Sequence, residues 1–232
     1  MTLVEICVDD VAGARTAERN GADRVELCAD LLEGGITPSL GLVATTLATL
    51  TRAGLQVLIR PRGGDFRYDA DERAVMLADI AAFRALPRTV TLGFVLNALT
   101  ADGHIDRALL GELVTAGGGA PITFSRAFDE VRDPAAALET LVELGVHRVL
   151  TGGGPGPAAE GQDRLAALVT QAADRIVVLA AGAVRSHNVA SLVAATGVRE
   201  VHLRAPEPSD GRPRTSAAEV RAVIDAVTKV SA

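Results

Sequence analysis

The chain has 232 residues, a formal charge of −6 from 23 Lys and Arg against 29 Asp and Glu, and only 3% aromatic residues. Without a basic stripe it has little with which to neutralise a nucleic-acid backbone or an anionic membrane, and so few aromatics leave no platform for stacking bases. The longest apolar run, Ile176 to Val184, is too short to span a bilayer, so neither nucleic acid nor membrane is expected as a partner.

In chain order, apolar, β-branched segments predict strands at Leu3 to Val8, Arg24 to Cys28, Gln56 to Arg60, Thr89 to Phe94, Pro121 to Ser125, Arg148 to Leu150, Arg175 to Ala180 and Glu200 to Leu203. Amphipathic Ala/Leu-rich segments predict helices at Val11 to Asn20, Leu40 to Arg52, Ala70 to Ala85, Asp106 to Ala116, Pro134 to Leu144, Ala158 to Ala172, Asn188 to Thr196 and Ala217 to Val230. Helix ends are marked by Asp133-Pro134 as cap and first turn, and by Gly145 and Gly197 just past the last turn. Eight strand-then-helix units match a (β/α)8 TIM-type barrel, an α/β fold, near its minimum size. No linker or composition shift divides the chain, so residues 1–232 are read as a single domain. The segment from Ala205 to Arg214, with three prolines, is expected to be irregular.

An open doubly wound sheet would want a Gly-rich turn after the first strand. Here that turn is Val8-Asp9-Asp10-Val11, with two acids where a pyrophosphate would sit, so no nucleotide cofactor is expected. The opening residues show no basic region followed by an apolar one, which points to the cytoplasm. The two cysteines are there expected as reduced thiols.

Side chains alternate between the two faces of a strand, and the apolar set must face the helices. Val4, Ile6 and Val8 outward place Glu5 and Cys7 inward; Val25 and Leu27 outward place Arg24, Glu26 and Cys28 inward. The same parity puts Arg60, Thr123, Ser125, His202 and Arg204 inside. In Val57-Leu58-Ile59-Arg60-Pro61-Arg62, Leu58, Arg60 and Arg62 share one face, and two converging guanidinium groups need anions. Glu5 and Glu26 are the expected partners if the interior is an ion-pair network. A ligand anion is the alternative, favoured by the position of Cys28, Arg60, Arg62, Arg126 and Asp129 at the C-terminal strand ends, where such barrels bind and react.

Other chemistries are thinner. Lys229, the only lysine, lies on the last helix and cannot form a Schiff base at a strand end. His104, His147 and His187 fall in loops or at helix ends, and only His202 is on a strand, which supports a zinc site poorly. The turns Gly152-Gly153-Gly154 and Ala181-Gly182-Ala183 either present backbone N–H groups to a phosphate or are tight loops. Cys7 and Cys28 point inward from neighbouring strands roughly 4.8 Å apart. They either pack as small core residues or hold a soft Cu(I) ion together.

Taken in order, Glu5-Ile6-Cys7-Val8-Asp9, Gly21-Ala22-Asp23-Arg24-Val25-Glu26-Leu27-Cys28, Leu32-Glu33-Gly34-Gly35-Ile36-Thr37-Pro38-Ser39, Arg60-Pro61-Arg62-Gly63-Gly64-Asp65-Phe66, Leu99-Thr100-Ala101-Asp102-Gly103 and Arg126-Ala127-Phe128-Asp129 resemble the CutC family of copper-homeostasis proteins. The resemblance implies a cytoplasmic TIM-type barrel, a homo-oligomer (dimer or tetramer), and a link to copper tolerance. It matches Cys7 and Cys28 to the pair suggested as Cu(I) ligands, and Glu5, Arg60, Arg62, Arg126 and Asp129 to a polar cluster at the mouth. Ser125 departs from it by standing where the family pattern has His, as do Thr151-Gly152-Gly153 and Ala181-Gly182-Ala183.

Two functions lead, and a non-catalytic anion-binding scaffold is a third that Ser125 in place of the family His allows. In the first, Cys7 and Cys28 bind Cu(I). In the second, an enzyme acts on a small phosphate- or carboxylate-bearing substrate: Arg60, Arg62, Arg126, Ser125 and His202 bind it, and Glu5 or Asp129 moves a proton.

Overall fold

A computed structural model of the chain describes residues 2–207 and 214–230. The elements alternate as β1 (Leu3–Val8), α1 (Val11–Arg19), β2 (Arg24–Leu27), α2 (Leu40–Thr49), β3 (Gly54–Leu58), α3 (Ala70–Arg84), β4 (Leu92–Leu96), α4 (Arg107–Gly117), β5 (Ile122–Phe124), α5 (Pro134–Glu143), β6 (Arg148–Thr151), α6 (Gln162–Ala172), β7 (Val177–Ala180), α7 (Val189–Thr196), β8 (Glu200–Leu203), β9 (Pro206–Glu207), β10 (Arg214–Thr215) and α8 (Ala217–Val230). Strands β1 to β8 pair in sequence and β1 closes on β8, giving a parallel eight-stranded barrel. Closure leaves no edge strand, and the helices cover the outer face.

Local chemistry starts the helices where expected. Asp10, Ser39, Asp106 and Asp133 each accept a backbone N–H at the start of α1, α2, α4 and α5. Asp69 and Glu72 form a reciprocal capping box on α3. α6 begins four residues later than Ala158, because Gly161 packs against the backbone of Gly152 and Gly153 and serves as its cap. The segment after β8 is less irregular than expected: Pro206–Glu207 and Arg214–Thr215 pair as an antiparallel ribbon, while residues 208–213 of that segment lie outside the described residues.

The largest apolar core lies between barrel and helices, where Ile6, Val25, Val57, Phe94, Phe124, Val149, Val178 and Val201 meet the helix faces. Inside the barrel are two smaller clusters, one of Cys7, Cys28, Leu58 and Val95 and another of Leu150, Leu179 and Ala181. Charged groups fill the rest. No helix among the described residues is long and apolar enough to cross a membrane.

Candidate metal and anion site at the barrel mouth

Strand register sets the height of each inward group. Glu5 is level with Arg24 on β2 and His202 on β8, while Cys7, two residues higher, is level with Glu26. The buried Arg24 donates Nε to Glu5 and Nη2 to Glu200, and Arg148 Nε reaches Glu200 at 3.0 Å. His202 Nδ1 lies 2.7 Å from Glu5 Oε1, and its Nε2 lies 3.4 Å from Glu26. A continuous chain of alternating charge thus runs from Arg148 through Glu200, Arg24 and Glu5 to His202, with Glu26 beside its upper end.

Above this chain sit the sulfurs. Cys7 Sγ lies 3.8 Å from Cys28 Sγ, both buried, with Leu58, Val95 and Leu31 around them. The Cys7 sulfur, a Glu26 oxygen and a His202 nitrogen all lie within 4.8 Å of one another, close enough to share one metal ion. They line a cavity of about 130 Å³ that also takes in Arg60, Phe66, Asn97, Ser125 and Arg126.

The electrostatics differ from group to group. Burial would push the Glu5 carboxyl up, but Arg24 and His202 outweigh it and hold it down at about 2. The hydrogen bond from Cys28, helped by His202 and opposed by burial, holds the Cys7 thiol down at about 6. That bond, with burial, pushes Cys28 well above the ordinary thiol range. Burial and then the Cys7 charge push Glu26 up to about 8. Burial disfavours a charged His202, yet Glu26, Cys7 and Glu5 around it raise its pKa well above the ordinary value. At neutral pH the site therefore holds a Cys7 thiolate donated to by the Cys28 S–H, beside a cationic His202 and over an anionic Glu5.

Residues 2–206 match the CutC family. The chain belongs to the CutC family. It is 49% identical over 205 residues to a family protein CutC of Mesorhizobium japonicum, spanning 88% of this chain and 78% of that one. It is 45% identical over 208 residues to the copper homeostasis protein cutC homolog of Homo sapiens, spanning 90% of this chain and 75% of that one. The CutC structure from Streptococcus agalactiae aligns with a TM-score of 0.82 at 33% identity, over 87% of this chain and 98% of that one. A phosphoribosylanthranilate isomerase of Thermotoga maritima, at TM-score 0.60 and 13% identity, shares the barrel fold.

In this CutC barrel the two arginines of the Arg-Pro-Arg motif do not pair with Glu5 and Glu26. Strand β3 ends at Leu58, and Glu26 is level with Gln56. Arg60 therefore lies four residues, or roughly 13 Å of extended chain, further toward the mouth. It spends Nη1 on the carbonyls of Glu33 and Gly35 and Nη2 on that of Gly64, and it stacks over Phe66 at 4.7 Å. Arg62 does not share the mouth with Arg60. The chain turns at Gly63-Gly64, and Arg62 pairs instead with Asp65 and with Glu72 of the α3 capping box. Its place is outside the cavity lining, as is that of the half-buried Arg204.

Ser125, Arg126 and His202 do line the cavity, whereas Glu5 lies beneath it. Asp129 faces away, toward the loop after β6. It accepts from Thr151 Oγ1 at 2.5 Å, from Gly152 N at 3.1 Å, from Gly154 N at 3.3 Å and from Arg126 Nε at 2.8 Å. The N–H groups of Gly152 and Gly154 are thus taken by the protein's own carboxylate, and that of Gly153 by the Thr151 hydroxyl. His104 and His147 are exposed.

Four site residues were not singled out by motif. Glu26 was read only as an ion-pair partner; its parity with Cys28 was the signal that it shares the metal-capable group. Glu200 and Arg148 sit at the start of their strands, where parity against Val201 and Val149 would have placed them inside. Asn97, which accepts from Tyr68 and donates to the Ile59 carbonyl at 3.3 Å, ties the ends of β3 and β4 at the cavity wall.

Proposed function

We propose that this chain serves copper homeostasis in the cytoplasm by holding Cu(I) as cargo between Cys7 and Cys28. The observation that carries this reading is the 3.8 Å separation of two buried sulfurs at the floor of the cavity. Soft thiolates select Cu(I) over harder divalent ions. Zinc asks for a tetrahedral set, which here would require His202 to give up its proton beside Glu5 and Glu26 to ionise beside a thiolate. Cu(I), satisfied by two sulfurs, asks for neither. The name of the human relative supports the same copper reading, and the family resemblance adds the proposal of a homo-oligomer, dimer or tetramer.

The test is anaerobic competition for Cu(I) against a chelator. The wild type should bind one ion, Cys7→Ser and Cys28→Ser should each bind it far more weakly, and the double variant should not bind it. Equal Cu(I) affinity in the wild type and the double variant would overturn the proposal.

A further inference from the structure

We infer that the cavity over the cysteine pair binds a small carboxylate-bearing thiol, its carboxylate held by Arg60, Arg126 and Ser125 and its sulfur directed at Cys7 and Cys28. The inference rests on the copper reading in one respect: the thiol's sulfur would meet the ion at the same floor.

Charge is the first observation. Arg60 is only 7% exposed, yet its guanidinium is held by three carbonyl oxygens and an aromatic face, with no carboxylate in ion-pair distance among the described residues. Its Nε is buried without a partner. A buried cation is expected to have an anion. The carbonyls fix its orientation and leave its charge uncompensated on the cavity wall.

The neighbouring donors point the same way. Arg126 uses Nε on Asp129, and its two Nη groups have no acceptor among the described residues. Ser125 Oγ accepts from Ala127 N at 3.1 Å, which leaves its own O–H free to donate. The Arg126 guanidinium edge and the Ser125 hydroxyl, beside the uncompensated charge of Arg60, suit the two oxygens of a carboxylate. They are too few for a phosphate dianion, and the N–H groups of Gly152 and Gly154 are bound to Asp129.

Size and floor complete the assignment. A space of about 130 Å³ holds on the order of ten water-sized groups, which admits a short thiol acid and excludes a nucleotide. Leu31, Leu58 and Leu150 share the cavity lining with the arginines and the sulfurs and give it an apolar wall that suits a methylene spacer. The carboxylate and the thiol would thus sit at opposite ends of one short chain.

The test is anaerobic calorimetric titration of the reduced, metal-free protein with 3-mercaptopropionate, propionate, 2-mercaptoethanol and inorganic phosphate. 3-Mercaptopropionate should bind saturably, and propionate and 2-mercaptoethanol should each bind at least about tenfold more weakly. The double variant Ser125→Ala, Arg126→Gln alters the wall without touching the Arg60 scaffold. It should lose about tenfold in affinity for 3-mercaptopropionate while keeping wild-type Cu(I) affinity in chelator competition without thiol. No saturable binding, equal affinity in wild type and double variant, or tighter binding of phosphate would overturn the inference. A wild type that binds the thiol acid but not Cu(I) would overturn the copper reading alone.

Discussion

Asp129, in the turn after β5, accepts the N–H of Gly152 after β6 at 3.1 Å, and so an internal carboxylate fills the glycine turn after β6. The same carboxylate takes the Thr151 hydroxyl and the N–H of Gly154, which makes it the organiser of the loop between β6 and α6. Replacing it with Asn keeps the shape but removes the charge and half of the acceptor capacity. Asp129→Asn should lower the unfolding free energy by about 2–3 kcal/mol in urea titrations, with faster amide exchange at Gly152 and Gly154. Unchanged exchange there would show that the loop holds its own shape.

The two buried arginines should behave differently. Arg24→Met removes the cation shared by Glu5 and Glu200, leaving Glu5 with His202 and Glu200 with Arg148 alone, and should cost about 3–5 kcal/mol. Arg60→Met strands carbonyl groups only and should cost less, about 1–3 kcal/mol. Urea unfolding of both variants checks the order. The reverse order would mean that the mouth, and not the charge chain, anchors the barrel interior.

Cys7 should be the reactive thiol. Its alkylation by a small iodoacetamide reagent should rise through a midpoint near pH 6. Because the Cys28 hydrogen bond is the largest influence lowering that midpoint, Cys28→Ser should change it more than any change at Glu26. A midpoint in the ordinary thiol range in the wild type would show that the two sulfurs do not share a proton.

Stability should respond to pH at both ends of the range. The depressed Glu5 carboxyl stabilises the fold above its ordinary value of 4.5, and this contribution is lost as pH falls from there to about 2. Glu26 works in the opposite sense. With its pKa raised to about 8, the stability it contributes is present below 4.5 and is lost as pH rises through 8. His202, also raised, adds a loss on the alkaline side. Glu26→Gln should therefore stabilise the protein at pH 8 relative to the wild type and change little near pH 4.5, as read by thermal melts at the two values. Equal effects at both would place Glu26 outside the coupled group.

Gly161→Ala should be costly although the site is a helix start. A Cβ there would lie 2.0 Å from the Gly152 carbonyl oxygen, a contact that only backbone movement relieves. A loss of about 1–3 kcal/mol in urea unfolding is expected. A neutral result would mean that the Gly152–Gly154 loop shifts freely.

Much of this protein was determined by the sequence alone. The alternation of β-branched runs with amphipathic Ala/Leu segments specified the barrel, because strand and helix periods are local properties of the chain. Parity likewise placed Glu5, Cys7, Arg24, Glu26, Cys28 and His202 inside, since apolar neighbours such as Ile6 and Val25 have one face to hide on. Which of these groups meet was decided by the tertiary structure. Parity names a face but no height, and closure of β1 on β8 brought His202 level with Glu5 from 197 residues away. The end of β3 at Leu58 left Arg60 among carbonyls and turned Arg62 toward α3, an outcome set by strand length and loop path that no period in the sequence encodes. Asp129 read as a mouth residue by its neighbours in the chain; only packing of the β5 turn against the β6 loop showed that its charge is spent inside the protein.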